Sequence, residues 1–181
     1  MYREVYMLSL FKPTWMVNNI YQISPEKLKS YGISAILTDL DNTLIPWNNP
    51  EGTVQLHEWL ERIRDYGIRV IVVSNNNRER IEKALNSLQL PFVARALKPL
   101  TFGILRALKT YHLKRSQVVM VGDQILTDIW AANNTRIRSI LVKPLVTSDA
   151  WNTRINRFFE AFVYTKLMRK YDDLKWKDDI D

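Results

Sequence analysis

Ile33-Ser34-Ala35-Ile36-Leu37-Thr38-Asp39-Leu40-Asp41-Asn42-Thr43 is the stretch on which the fold is decided. Ile33–Thr38 is short, rich in branched apolar residues and without strict alternation, the pattern of a strand covered on both faces. It stops abruptly at two carboxylates, Asp39 and Asp41. Similar runs recur at Val70–Val73, Val118–Val121 and Ser139–Val142, with a weaker one at Phe92–Ala94. Between them, Val54–Tyr66, Arg78–Leu88, Phe102–Tyr111 and Ile125–Asn133 carry helical apolar spacing. Strand–helix alternation predicts an α/β fold, a Rossmann-like three-layer sandwich around a mainly parallel sheet. Tyr66-Gly67 is expected to end the first helix, Pro91 follows the second, and Thr101 is the expected N-cap of the third.

The chain has 181 residues, 46% of them apolar and 25% charged, as in ordinary globular proteins. It holds no cysteine, which excludes disulfides, thiolate metal sites and cysteine nucleophiles. A formal charge of +7 favours an anionic partner, whether nucleic acid, membrane surface or phosphorylated substrate. No secretory signal is read at the N-terminus, and no run reaches the ~20 apolar residues that span a bilayer. A cytoplasmic protein is expected. One domain is read over residues 1–181, with an N-terminal extension through about residue 30 and a helical tail from about residue 150. Oligomeric state is left open.

Ligands of open parallel sheets bind beyond the carboxyl ends of the strands. The first run ends in Asp39 and Asp41. Val70–Val73 ends in Ser74 and Asn75, and Val118–Val121 in Gly122 and Asp123 with Asp128 beyond. Lys98 falls between the weak strand and the third helix. Four segments thus bring carboxylates, small donors and one ammonium to one edge. That set suits phosphoryl transfer: hard oxygen ligands for Mg2+, an aspartate able to attack phosphorus, and cationic or neutral donors for the phosphoryl oxygens.

These residues resemble the four signatures of the haloacid-dehalogenase (HAD) superfamily of phosphatases, in order. Asp39-Leu40-Asp41-Asn42-Thr43 is similar to the first, Ser74-Asn75 to the second, Lys98-Pro99 to the third, and Gly122-Asp123 with Asp128 to the fourth. The resemblance implies a HAD-like fold and a phosphomonoester hydrolase with an aspartyl-phosphate intermediate. It makes Asp39 the nucleophile and a Mg2+ ligand. Asp41 becomes the general acid and base, ligating the metal through its backbone carbonyl. Asp123 completes the metal shell, and Asp128 holds a coordinated water or orients Lys98. Ser74, Asn75 and Lys98 bind the phosphate.

Neither Ile45–Pro50 nor the Ser74–Lys98 interval has room for a folded cap, so a site open to large substrates, or else closed by another molecule, is expected. Phe11-Lys12-Pro13, Ile23, Leu28, Gly32-Ile33, Trp47 and Thr153-Arg154-Ile155-Asn156-Arg157 resemble the capless bacterial YqeG-type subfamily, which is subfamily IIIA-like. Its relation to phosphatidylglycerophosphate phosphatases implies a lipid phosphate substrate in phospholipid metabolism. A nucleotide, sugar phosphate or phosphoprotein substrate stays open, as does a basic RNA or ribosome-assembly binding module, although no nucleic-acid-binding signature is present.

The tail aligns Trp151, Ile155, Phe158, Phe159, Phe162, Val163 and Leu167 on one helical face beside Arg154, Arg157, Lys166, Arg169 and Lys170. Such a helix either covers the domain or lies on the inner face of an anionic membrane, and packing is the expectation. Tyr2, Tyr6, Phe11 and Trp15 pose the same choice. His57 and His112 are read as surface or core-edge residues. Arg78 and Arg80 are read as a solvated first turn, and Asp172-Asp173 with Asp178-Asp179 as a frayed, solvated end.

Overall fold

Successive residues of the central strands point to opposite faces of the sheet, and both faces are buried and apolar. In β2 (Ala35–Thr38), Ile36 faces one core, while Ala35 and Leu37 face another. The same split divides Val70 and Val72 from Ile71 and Val73 in β3 (Arg69–Val73), and Val119 and Val121 from Val118 and Met120 in β5 (Val118–Gly122). This two-sided burial is why the runs lack polar alternation. The computed structural model describes residues 7–46, 53–146 and 154–181, the side chains of 154–158 excepted.

The remaining strands are β1 (Trp15–Val17), β4 (Phe92–Val93), β6 (Arg138–Val142) and β7 (Trp176–Lys177). The helices are α1 (Pro25–Ser30), α2 (Val54–Asp65), α3 (Arg78–Leu85), α4 (Phe102–Thr110), α5 (Trp130–Thr135) and α6 (Arg154–Lys170). A π-helical turn at Ile125–Ile129 leads into α5. Among the described residues seven strands run parallel in the order β4-β3-β2-β5-β6-β1-β7. From β2 the chain winds outward through β3 and β4, then returns to β5 on the other flank of β2. The carboxyl ends of β2 and β5 therefore meet at the point where strand order reverses.

Residues of α2 and α3 seal one face and residues of α4 and α5 the other. Gly67, at φ +64, ends α2, and its N–H reaches the Arg64 carbonyl at 2.8 Å. Pro91 lies at the start of β4 and offers no N–H, so the ladder of β3 with β4 holds only Val72↔Phe92 and Val73↔Val93. Thr101 holds the N-cap position of α4 that the sequence suggested, but it sits in the αR region and makes no side-chain capping bond. Gly103 fixes that corner instead: a Cβ there would lie 2.4 Å from Ala96 Cβ, so glycine lets α4 press against the loop that carries Lys98.

The segments outside the five expected strands contribute two more. β1 pairs with β6, and β7 pairs with β1. The acidic C-terminus is docked rather than frayed. Asp173 pairs with Lys12 at 2.7 Å, Asp178 accepts from Asn18 Nδ2 at 2.9 Å, and Asp179 accepts from the Ser24 N–H at 3.0 Å. Ile180 is fully buried. Phe11 packs on Trp130 and Trp15 on Tyr31, with ring centroids 5.2 and 4.8 Å apart, so these two aromatics close the sheet edge. Tyr2, Tyr6, Trp47, Trp151 and Thr153 lie outside the described residues, and Ile45–Pro50 is described only to Pro46. In α6, Leu167, Val163, Tyr164 and Met168 pack inward, while Phe159 and Phe162 are exposed.

Candidate active site

Asp39 follows β2 directly, and its N–H bonds the Val121 carbonyl of β5 at 3.0 Å. That bond holds the end of β2 in register with the end of β5, where Asp123 begins the next turn. Asp39, Asp123 and Asp128 each offer a carboxylate oxygen, and these oxygens lie within 4.8 Å of one another. Lys98 enters from the loop after β4. Its Nζ lies 2.6 Å from Asp39 Oδ1 and 2.6 Å from Asp128 Oδ1, with a side chain only 2% exposed. Groups from β2, β5, the π-helical turn and the β4–α4 loop thus converge.

The loop bearing Lys98 is clasped by Asn75: Lys98 N donates to Asn75 Oδ1 at 2.8 Å, and Asn75 Nδ2 donates to the Lys98 carbonyl at 3.0 Å. One hydrogen of that amide stays free of the clasp. Ser74 is buried, and its Oγ accepts from the Asn76 N–H at 3.1 Å, leaving its own hydroxyl proton to donate. Asp128 is completely buried, and its Oδ2 accepts from the Gln124 N–H at 3.2 Å. Gly122 makes room for it: a Cβ there would fall 2.3 Å from Asp128 Cγ.

Asp41 stands apart from the three clustered carboxylates. Its Oδ1 accepts from Arg80 Nη2 at 2.7 Å and its Oδ2 from Asn76 Nδ2 at 2.5 Å. Arg80 is therefore ion-paired at the mouth of the site, not merely solvated as its place in the first turn of α3 suggested. Three further residues went unread in the sequence. Thr43 Oγ1 donates to Asp123 Oδ1 at 2.8 Å, so the last residue of Asp39–Thr43 orients a carboxylate 80 positions away. Glu160 of α6 accepts from the Ile125 and Leu126 N–H groups at 3.1 and 2.7 Å, tying that helix to the π-helical turn. Asn76 is the third. Its only signal was adjacency to Ser74-Asn75.

Burial pushes the Asp39 carboxyl up to about 6, with repulsion from Asp128 and Asp41 adding to it and Lys98 opposing it. Burial likewise pushes Asp123 up to about 8, reinforced by Asp128 and Asp39. For Lys98, burial disfavours the ammonium, but Asp128 and Asp39 outweigh it and hold the pKa above the ordinary lysine value. Three carboxylates against one ammonium leave a formal charge of −2 in a largely dry site. The donor set is all carboxylate oxygen, the excess charge matches one divalent cation, and the raised carboxyl values reflect burial reinforced by mutual repulsion, both of which such an ion would offset. The residues fit a hard divalent metal.

A cavity of about 240 Å³ opens beside Asp123, walled by Leu141, Val142, Pro144, Tyr164 and Trp176. A larger one of about 560 Å³ lies at the start of β3, at the opposite edge from the carboxylates. His57 and His112 are exposed, the first within α2 and the second just after α4.

The Hydrolase-like family of HAD-type hydrolases matches residues 95–167, a span that includes Lys98, Asp123 and Asp128. The "Probable phosphatase YqeG" of Bacillus subtilis (strain 168) is 40% identical over 168 residues, covering 93% of this chain and 97% of that protein. Among solved structures, an uncharacterised Listeria monocytogenes serotype 4b protein superposes with a TM-score of 0.53 at 18% identity, over 65% of this chain and 84% of that one. A hypothetical protein from Xanthomonas campestris gives 0.50 at 14% identity, over 82% and 98%. At these identities the structural likeness speaks for the fold alone.

Proposed function

The chain belongs to the HAD phosphatase family of the YqeG type, and from that premise we propose that it is a Mg2+-dependent phosphomonoester hydrolase acting through an aspartyl-phosphate on Asp39. The observation that carries the reading is Lys98 Nζ, placed 2.6 Å from both Asp39 and Asp128 within the three-carboxylate group. Asp39, Asp123 and Asp128, with the backbone carbonyl of Asp41, are the residues that would hold the metal. Bound there, Mg2+ supplies positive charge that lets an anionic carboxylate approach an anionic phosphate.

In the first half-reaction Asp39 Oδ attacks phosphorus, the bond to the leaving oxygen breaks, and Asp41 delivers a proton to that oxygen. In the second, Asp41 takes a proton from water as it attacks the phosphoryl group, releasing phosphate and restoring Asp39. Lys98, the Ser74 hydroxyl and the free hydrogen of Asn75 Nδ2 receive the phosphoryl oxygens. Asp128 keeps Lys98 aimed at Asp39. The chain works as one domain without a cap.

Phosphatidylglycerophosphate is the substrate we propose, with a cytoplasmic enzyme lying peripherally on the inner membrane face. Support comes from the YqeG-type motifs, the open site and the apolar cavity adjoining Asp123. Among the described residues no helix is long and apolar enough to cross a membrane. Phosphate release from an aryl phosphate and from the lipid phosphate in mixed micelles tests both layers. Mg2+-dependent hydrolysis that Asp39→Asn abolishes is expected, and robust turnover by that variant removes Asp39 as nucleophile. A higher kcat/KM on a nucleotide, sugar phosphate or phosphoprotein would replace the lipid.

A further inference from the structure

Four large apolar side chains stand in solvent within nine residues of chain: Leu97 at 56% exposure, Leu100 at 53%, Phe102 at 64% and Leu105 at 37%. Singly they would mean little, but they bracket Lys98, whose own side chain is buried in the carboxylate cluster. The loop that delivers the lysine inward therefore turns apolar groups outward at the mouth of the site. Leu97 holds φ at +58°, a left-handed conformation that leucine rarely adopts. Phe102 and Leu105 share a face of α4 with Lys109, three and four residues further along in turn.

The charge around this patch is one-sided. From Glu82 to Asp123 the chain carries seven Lys or Arg and no Asp or Glu between those two acids. Arg95, Arg106 and Lys109 are exposed on the same loop and helix as the apolar groups, and Arg106 ties its segment down by donating to the Ala94 carbonyl.

We propose that Leu97, Leu100, Phe102 and Leu105 form a membrane-docking surface that seats the open site against an anionic bilayer. Apolar side chains enter the acyl boundary while the flanking cations meet anionic headgroups, the arrangement by which amphipathic segments lie on membranes. A second copy of this chain is a poor occupant, because a twofold contact would set the same uncompensated cations against each other. The purpose of the contact rests on the phosphatase reading, since docking carries Asp39 and Lys98 to headgroup depth. The contact itself does not.

Binding is therefore measured without catalysis, by co-sedimenting the full chain with vesicles of phosphatidylglycerol or of phosphatidylcholine at 0.15 M salt (a condition within the ~8 Å screening regime). The intact chain is expected to sediment with the phosphatidylglycerol vesicles at least tenfold more strongly than with phosphatidylcholine. Phe102→Glu with Leu100→Glu is expected to lower that partitioning at least tenfold, and Lys109→Glu severalfold. Leu97→Gly keeps folding out of the question: glycine accepts the left-handed conformation, so its melting midpoint should not fall, yet its vesicle binding should. Partitioning that ignores these substitutions overturns the proposal, as does failure of the intact chain to sediment. So does a dimer in solution that Phe102→Glu splits, which would make the patch a self-association face. Failure of the intact chain to bind vesicles while its aryl phosphatase activity is present sinks the docking surface alone. Absent aryl phosphatase activity with binding intact sinks the phosphatase reading alone.

Discussion

Replacing Gly122 by alanine adds one methyl group at the place where β5 passes closest to Asp128. That carbon would lie 2.3 Å from Asp128 Cγ, 2.3 Å from Oδ2 and 2.4 Å from Cβ, where 3.4–4 Å is ordinary contact. Asp128 has no slack to give. Its Oδ1 is 2.6 Å from Lys98 Nζ, its Oδ2 accepts from the Gln124 N–H, and its side chain is fully buried. If Asp128 stays and the backbone moves, overpacking costs about 1–3 kcal/mol. If Asp128 is expelled, Lys98 loses a buried partner at about 3–5 kcal/mol. Depending on the route, stability falls by about 1–5 kcal/mol, which for a chain of this length is a fall of about 2–20 °C in melting midpoint.

The assay is thermal unfolding in chelator, so that altered metal binding does not enter, repeated in an Asp128→Gly background. With no side chain at 128 to strike, the cost of Gly122→Ala should shrink below about 1 kcal/mol, and the difference between the two backgrounds is the coupling. A Gly122→Ala midpoint within about 1 °C of the parent refutes the reasoning. So does an equal loss in both backgrounds, which would place the cost in the strand and not in its approach to Asp128.

Lys98→Met leaves Asp39 and Asp128 without their shared cation; it should cost about 3–5 kcal/mol in unfolding and lower kcat at least about a hundredfold, by denaturation and phosphate release. Arg80→Ala releases one oxygen of Asp41 at a half-exposed pair, so the melting midpoint should move by less than about 2 °C while kcat falls about tenfold, with Arg80→Lys recovering part of it. The carboxyls of Asp39 and Asp123 are raised from 3.8 to about 6 and about 8, so the metal-free native state keeps protons that the unfolded chain has released. Metal-free stability should therefore fall as pH rises from about 4 to about 8, and a midpoint that climbs across that window in chelator contradicts the assignment. Mg2+ at about a hundred times its Kd should add about 2.7 kcal/mol at neutral pH, seen as a rise of about 5–10 °C.

The parts of this molecule that sequence shows plainly are those governed by local rules. Central strands buried on both faces read as unbroken apolar runs, and in a parallel sheet polar groups that end such runs share one edge. Asp39, Ser74, Lys98 and Asp123 were legible for that reason. β1 and β7 were not, because three- and two-residue strands leave no periodic trace and exist only through pairing with β6 and with each other. The acidic C-terminus misled for a related reason. Asp178 and Asp179 look solvated until Asn18 and Ser24, more than 150 positions earlier, are brought beside them. Arg80 depended on the direction in which α3 leaves the Ser74-Asn75 turn, which spacing alone does not fix.

Asp128 shows where local and long-range rules meet. An aspartate five residues past a strand-end Gly-Asp would ordinarily begin a helix and face solvent at its first turn. Here the turn widens to π geometry, with both the Asp128 and Ile129 N–H groups directed to the Gln124 carbonyl at 3.0 and 3.3 Å. The widened turn swings the carboxylate back beneath Gly122, and the missing Cβ admits it. A buried anion there would be costly alone, and Lys98 compensates it from the far side of β2. Lys98 in turn is held by Asn75, and Asp123 by Thr43, so each charged group is positioned by a residue from a different segment. Disturbing any one of these contacts should therefore register both at the carboxylate cluster and in the stability of the fold, because the buried charges are balanced by one another.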